Sequence, residues 1–459
     1  MKRKNVLIIG SAGRDFHNFN TYFKDNDEYN VVGFTGSQQV PGISGRKYPA
    51  ELSGGLYPEG IPIYAEEELP QLIKDLNVDY CVFSYSDVTY QHVMGIGAIV
   101  NAAGSNYMML GPNDTMLESK KPVFAVCAVR TGAGKSQTSR RIVGLLTERG
   151  LKVVAVRHPM PYGDLVAQRV QRFAEVSDLE KYKCSVEEME EYEPHVVRGN
   201  VIYAGVDYAA ILKAAEEDPK GCDVIVWDGG NNDFPFFKPD LMVTVADPHR
   251  PGHEVCYYPG EINLRIADVV VINKIDTAAP ENIQQVRENI AKVNPDATVV
   301  DAASPILVDN PDVIRGKRVL VIEDGPTLTH GEMSYGSGVV AAQRYGAREL
   351  VDPRSYTVGT ITETFKHYPH MGPLLPAMGY GKEQLKELET TINKTDCDAV
   401  AVATPINLSR IIDIKKPNTR VYYELQEIGR PNLEDILSEF AKRHKLPMKM
   451  KAGSSGGVL

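Results

Sequence analysis

The segment Phe124-Ala-Val-Cys-Ala-Val-Arg-Thr-Gly-Ala-Gly-Lys-Ser136 decides how this chain is read. It opens on an apolar run of the kind that forms a buried strand. Gly132 and Gly134 then let the backbone turn tightly. From Gln137 to Glu148 the apolar residues Ile142, Val143, Leu145 and Leu146 recur at helical spacing. Strand, glycine turn, Lys-Ser and helix together make a phosphate cradle. Loop N–H groups and the positive end of the helix favour a polyphosphate. Lys135 is placed to reach its β- and γ-phosphates, and the Ser136 hydroxyl to hold Mg2+.

The strict form of this P-loop has a glycine five residues before Gly134, where Val129 stands, followed by Arg130. The remaining Thr131-Gly-Ala-Gly-Lys-Ser136 resembles the variant loop of the dethiobiotin synthetase and metallochaperone branch of P-loop enzymes. Thr131, Gly132, Ala133, Gly134, Lys135, Ser136 and Gln137 are therefore the expected nucleotide-binding residues. Downstream, Asp223-Val-Ile-Val-Trp-Asp228 is an apolar strand ending in an acid, followed by Gly229-Gly-Asn-Asn-Asp233. This is the form of a Mg2+-orienting acid, so Ser136 and Asp228 are the metal candidates. Asn231 and Asn232 offer polar groups beside a transferring phosphate. A further strand from Ala267 delivers Asn273-Lys-Ile-Asp276, which resembles the base-reading motif of GTPases. Asn273 can bond a purine edge, the Lys274 stem can cover the ring, and Asp276 can accept from guanine. The motif indicates a purine and leaves ATP and GTP both open.

Cations follow the P-loop. The run from Gly150 places Arg157 and His158 at a strand end near the loop's mouth. Arg169 and Arg172 lie three apart on a predicted helix, and Arg198 follows the acidic stretch Glu187–Glu193. Arginine grips phosphate oxygens bidentately, so all are candidate substrate contacts. His249 and His253 are four apart, but Pro248, Pro251 and Gly252 oppose a helix presenting them to a metal, and a phosphate-facing loop is expected. The polar loop from Glu323 to Gly336 carries Thr329 and His330, suited to substrate binding or acid–base work.

With 459 residues, 43% of them hydrophobic, the chain can form two or more domains. A net charge of −10 gives no support for a nucleic-acid partner. Six scattered cysteines without a Cys-x-x-Cys pair point to a reducing cytosol rather than to disulfides or zinc. No run reaches membrane-spanning length, so a cytoplasmic protein is expected, with no membrane partner and a possible homodimer. Before residue 120, strands and helices alternate as in a Rossmann-like domain. After Gly10, however, Ala12 and Asp15 occupy the second and third glycine positions of a dinucleotide fingerprint, and no acid ends the strand at Thr35. The expected fold is α/β: an N-terminal Rossmann-like parallel-sheet domain (1–120), then a P-loop NTPase α/β domain (121–450), with 451–459 a flexible tail. The late strands at Asp398–Ala403 and Val421–Glu424 are expected to complete the P-loop sheet.

Four landmarks coincide: the TGAGKS loop after Arg130, the WDGGNND segment, the INKID strand end and the DGPTLTHGEMSYG loop. Together they resemble the archaeal cyclic 2,3-diphosphoglycerate synthetase family, over nearly the whole chain. That resemblance implies ATP and Mg2+ as cofactors and closure of 2,3-bisphosphoglycerate into its cyclic anhydride. It implies catalytic roles for Lys135, Arg130 and Asp228. It also implies substrate contacts from Arg157, His158, Arg169, Arg172, Arg198, Asn231, Asn232, Thr329 and His330. A regulatory GTPase or metallochaperone is the alternative that Asn273–Asp276 supports.

Overall fold

Short runs that are apolar at every position, such as Val123–Ala128 and Leu241–Ala246, are strands buried on both faces, as parallel strands under helices must be. The computed structural model describes residues 3–36, 43–159, 163–230, 233–329, 333–377 and 382–447. Its strands form three main sheets. The first is six-stranded, in the order Lys47–Tyr48, Ile61–Ala65, Tyr29–Gly36, Lys4–Ile9, Tyr80–Phe83, Asn106–Met108, and only its first pair is antiparallel. The second is nine-stranded and centred on Val123–Ala128, which lies between Val224–Gly229 and Leu241–Ala246. Outward from Val224–Gly229 come Val153–Arg157, Val201–Ala204 and Gln171–Phe173; outward from Leu241–Ala246 come Val269–Ile272, Thr298–Ala303 and Gln426–Ile428.

The late strands correct the expectation that they complete this sheet. Arg318–Asp324, Ala399–Ala403 and Asn418–Tyr423 form the middle of a separate six-stranded sheet. The physical reason is visible at the edge of the P-loop sheet, where Gln426–Ile428 pairs antiparallel with Thr298–Ala303 and closes that edge to further parallel strands. The late strands bury their own core instead, built on Leu320, Ile322, Val400 and Val402 against Leu388 and Ile392. Gln426–Ile428 and the closing helix Leu433–Arg443 return to the P-loop sheet, the helix laying Leu437 and Phe440 into the core that holds Phe124 and Leu146.

The expected helix through Arg169 and Arg172 is likewise corrected. Gln171–Phe173 is an edge strand antiparallel to Val201–Ala204, because the neighbouring parallel strand leaves its outer backbone groups to be paired. A two-stranded ribbon, Val88–Thr89 with Tyr257–Tyr258, stitches the first sheet to the second. An aromatic cluster reaches the junction too, with His17 of the first domain stacked on Phe236 at 4.0 Å. Trp227, the chain's only tryptophan, is fully buried against Phe236, Phe237 and Tyr208.

Candidate active site

The phosphate loop is held from one side by its own carbonyls. Gly132 and Gly134 have φ of +80° and +111°, which side-chain-bearing residues resist. A Cβ at Gly134 would fall 2.1 Å from the Asn273 amide nitrogen. Asn273 donates to the Ala133 carbonyl at 3.0 Å and Lys274 to that of Gly132 at 2.6 Å. Arg250 donates to the Thr131 carbonyl at 2.7 Å. Asp247 anchors both cations, accepting from Lys274 at 3.0 Å and Arg250 at 2.9 Å. Burial works against its charge, but Lys274 and Arg250 outweigh it and hold the carboxyl well below its usual range. Asp276 accepts from the Ser304 N–H at 3.0 Å, and the Ser304 hydroxyl donates to Gln137 at 3.1 Å.

Ahead of the loop, charges alternate. Lys135 donates to the carbonyl of Asp228 at 2.6 Å and to its carboxylate at 3.0 Å. Arg157 donates to the other oxygen of that carboxylate at 3.1 Å, and His195 lies 3.5 Å from it. Burial opposes the Asp228 charge, but Lys135 and Arg157 keep it well below the ordinary range. Arg157 also pairs with Glu191, whose second oxygen accepts from the Ser136 hydroxyl at 3.1 Å. Burial, with Arg157 adding to it, lowers the pKa of Lys135 despite these acids.

A cavity of about 370 Å³ opens from this network, walled on the far side by the third sheet. That wall is acidic. Glu323 and Asp324, the last residues of their strand, line it, while Glu191, on the helix Val186–Val196, lines the cavity from the P-loop side. Burial pushes Glu323 up to about 7, although the Val339 N–H donates to it at 2.8 Å. Behind it, buried Glu190 hydrogen-bonds Asp324; burial first, then that neighbour, raises Glu190 far above the carboxylate range. Tyr335 and Tyr423 complete the wall.

The expected contacts distribute unevenly. Thr131, Gly132, Gly134, Lys135, Ser136, Gln137, Arg157 and Lys274 line the cavity. Arg130 reaches its edge, but its guanidinium stacks 3.6 Å over Tyr257, meets His253 at 2.9 Å and pairs with Asp87 at 2.8 Å. His158 faces away, 3.6 Å from Asp233 and packed on Phe236 and Trp227. Arg169 is exposed and paired with Asp207, and Arg172 is locked bidentately on Asp218; neither lines the cavity. Arg198 pairs with Glu424 in a separate groove. Thr329 is buried, donating to the Gly325 carbonyl at 3.0 Å. Asn231, Asn232 and His330 lie outside the described residues. His249 bonds Thr277 at 2.9 Å, and no metal-like group of three acids, histidines or cysteines occurs among the described residues.

Glu191, His195, Asp247 and Asp324 are the site residues that the sequence reading did not single out. One signal was available: Ser185-Val-Glu-Glu188 is a capping box, and both its bonds form, at 3.0 and 3.2 Å. A helix starting there puts Glu187, Glu190 and Glu191 on one face. For Mg2+, the Ser136 hydroxyl beside Glu191 is an oxygen pair that such an ion accepts together with phosphates and water. Asp228 has both oxygens occupied by cations, so it can serve a metal only as Lys135 moves off toward a phosphate.

A P-loop on the central strand of a parallel sheet, with an acid ending the neighbouring strand, defines a P-loop protein of the α/β class. Within that class, the chain belongs to the family of the arginine synthetase ArcE of Thermococcus kodakarensis, to which it is 60% identical over 441 residues, 96% of this chain and 98% of that one. Residues 196–303 match the P-loop domain of cyclic 2,3-diphosphoglycerate synthetase. The synthetases of that name from Thermococcus sibiricus and Pyrococcus furiosus are 27% and 26% identical over 105 and 98 residues, 23% and 21% of this chain and 24% and 23% of theirs. The resemblance expected over nearly the whole chain is therefore confined, for those enzymes, to about a quarter of it.

Proposed function

We propose that this protein is an ATP-dependent ligase that builds arginine. The observation that carries the reading is the acidic wall of Glu323 and Asp324, which lines the same cavity as Lys135. A guanidinium, ammonium or ureido group is complementary to such a wall, and a bisphosphate is repelled by it. The family's arginine synthetase supplies the same direction. Chemically, arginine differs from its ureido analogue citrulline by nitrogen in place of oxygen. ATP supplies a phosphoryl group that turns the ureido oxygen into a leaving group. Ammonia then forms the new C–N bond as phosphate departs, so citrulline, ammonia and ATP give arginine, ADP and phosphate.

The residues of this chain have corresponding tasks. Lys135 and the P-loop backbone bind the phosphates and offset charge in transfer. Arg157 positions Asp228 and Glu191 at the loop's mouth. Glu323 and Asp324 hold the nitrogen-bearing end and accept the proton that ammonium must lose. Mg2+, held by Ser136 with Glu191, would neutralise phosphate charge. The test is incubation with ATP, Mg2+, ammonium and citrulline, with arginine and ADP both measured. Equal amounts of the two are expected; ADP without arginine would sink the proposal. Cyclisation of 2,3-bisphosphoglycerate is the second reading, favoured by the match over residues 196–303. Phosphorus NMR with that substrate would reveal the ring product.

A further inference from the structure

Behind the P-loop helix Lys135–Glu148 runs a second depression, separate from the cavity. It consists of two abutting grooves of about 390 and 330 Å³ that share Arg140, Arg198, Tyr423 and Glu424. Three arginines from three elements meet there: Arg140 on the P-loop helix, Arg198 just after the helix Val186–Val196, and Arg420 on the third sheet. Their charges are poorly matched. The Arg140 side chain makes no hydrogen bond or ion pair among the described residues. Arg420 spends one nitrogen on the Pro405 carbonyl at 3.3 Å, and its Nε is buried without an acceptor. Among the described residues Arg198 meets only the exposed Glu424, at 3.4 Å, and the Pro194 carbonyl, at 3.5 Å. Burial, and then the neighbouring Arg140, lower the pKa of Arg198 from its ordinary value, with Glu424 opposing them. Glu148 and Asp309 also line the grooves, but both are exposed to solvent.

Like charges drawn from three elements repel unless an anion joins them, and a buried guanidinium N–H without an acceptor is rare in a finished fold. We propose that this trough binds a phosphate-bearing anion, gripped by Arg140, Arg198 and Arg420, at a site distinct from the nucleotide cavity. Guanidinium forks suit phosphoryl oxygens, and three of them suit a dianion or a diphosphate. The bound anion would also be sensed by the active site. Gln137 and Tyr423 form part of both the trough and the cavity wall. An anion bridging the P-loop helix to the strand Asn418–Tyr423 stiffens the wall that carries Asp324.

The experiment keeps the P-loop filled with a non-hydrolysable ATP analogue and Mg2+, and titrates pyrophosphate into the full-length protein by calorimetry. Binding to the filled protein is expected, and Arg140→Gln should weaken it ~10-fold or more, the worth of a charge-assisted hydrogen bond. The Arg140 side chain makes no hydrogen bond or ion pair among the described residues, so the thermal midpoint without anion should be unchanged or higher. Pyrophosphate should raise that midpoint in the wild type and not in the variant. A parallel titration with ADP separates a free diphosphate from a nucleotide as the natural ligand; tighter binding of either identifies it. No heat at millimolar pyrophosphate, or equal affinity in Arg140→Gln, would overturn the proposal.

Discussion

Lys135 clasps Asp228 twice, through the carbonyl at 2.6 Å and the carboxylate at 3.0 Å, so the P-loop lysine rests on the acid that ends the adjacent strand. A nucleotide must draw the lysine off that acid, and doing so frees an oxygen of Asp228. Lys135→Ala is expected to lower ADP formation ~10²–10³-fold, as removal of a preorganised charge-stabilising donor does. Steady-state ADP release measures this, and near-normal turnover in the variant would refute the site.

Arg130 is a strut between sheets. Its guanidinium is 1% exposed and pairs with Asp87 of the first sheet's strand-end loop, while its backbone begins the phosphate loop. The contact is an ion pair rather than a directed hydrogen bond. Asp87→Ala removes a carboxylate from beside a buried cation, at a cost of about 3–5 kcal/mol. A lower urea midpoint and a raised KM for ATP are expected together. An unchanged midpoint would show that the strut carries no load.

Glu323 gives stability a pH dependence of definite sign. Its pKa rises from 4.5 to about 7 on folding because it is buried. Its contribution is therefore complete below pH 4.5 and is lost as pH climbs through 7. Glu323→Gln, which cannot ionise, should stabilise the protein by up to about 3 kcal/mol above pH 7 and by little at pH 4.5. Urea denaturation of both proteins at pH 5 and pH 8 checks this, and an equal difference at both values would contradict it.

Asp324 tests the acidic wall directly. Asp324→Asn keeps the shape but removes the charge facing the cavity. The KM for ammonium or the amino-acid substrate is expected to rise ~10-fold or more, with the KM for ATP little changed. A change confined to ATP would assign this wall to the nucleotide.

Much of this arrangement was legible in local pattern. The strands at Leu241–Ala246 and Ala399–Ala403, the P-loop and its helix, and the placement of Arg157 follow from apolar runs and glycine positions. The third sheet was not legible, because a strand's apolar run does not say which edge it joins, and the closing partner Gln426–Ile428 is only three residues long. The arginines misled for a related reason. Arg169, Arg172 and Arg198 have the chemistry of phosphate ligands, but the acids that take up Arg169 and Arg172, Asp207 and Asp218, are 38 and 46 residues away, and the third, Glu424, is 226 away. Burial of Glu190 and half-burial of Glu191 were hidden in a stretch whose composition looks solvated, and only the spacing behind its capping box betrays them.

Trp227 sits one peptide bond before Asp228, sealed from water, and no other indole competes with it. The molecule thus contains its own optical probe, at the strand end where phosphate chemistry is expected. Intrinsic emission can report nucleotide arrival without a dye or label. It can also register the parting of the first two sheets, since the aromatic packing around it reaches their junction.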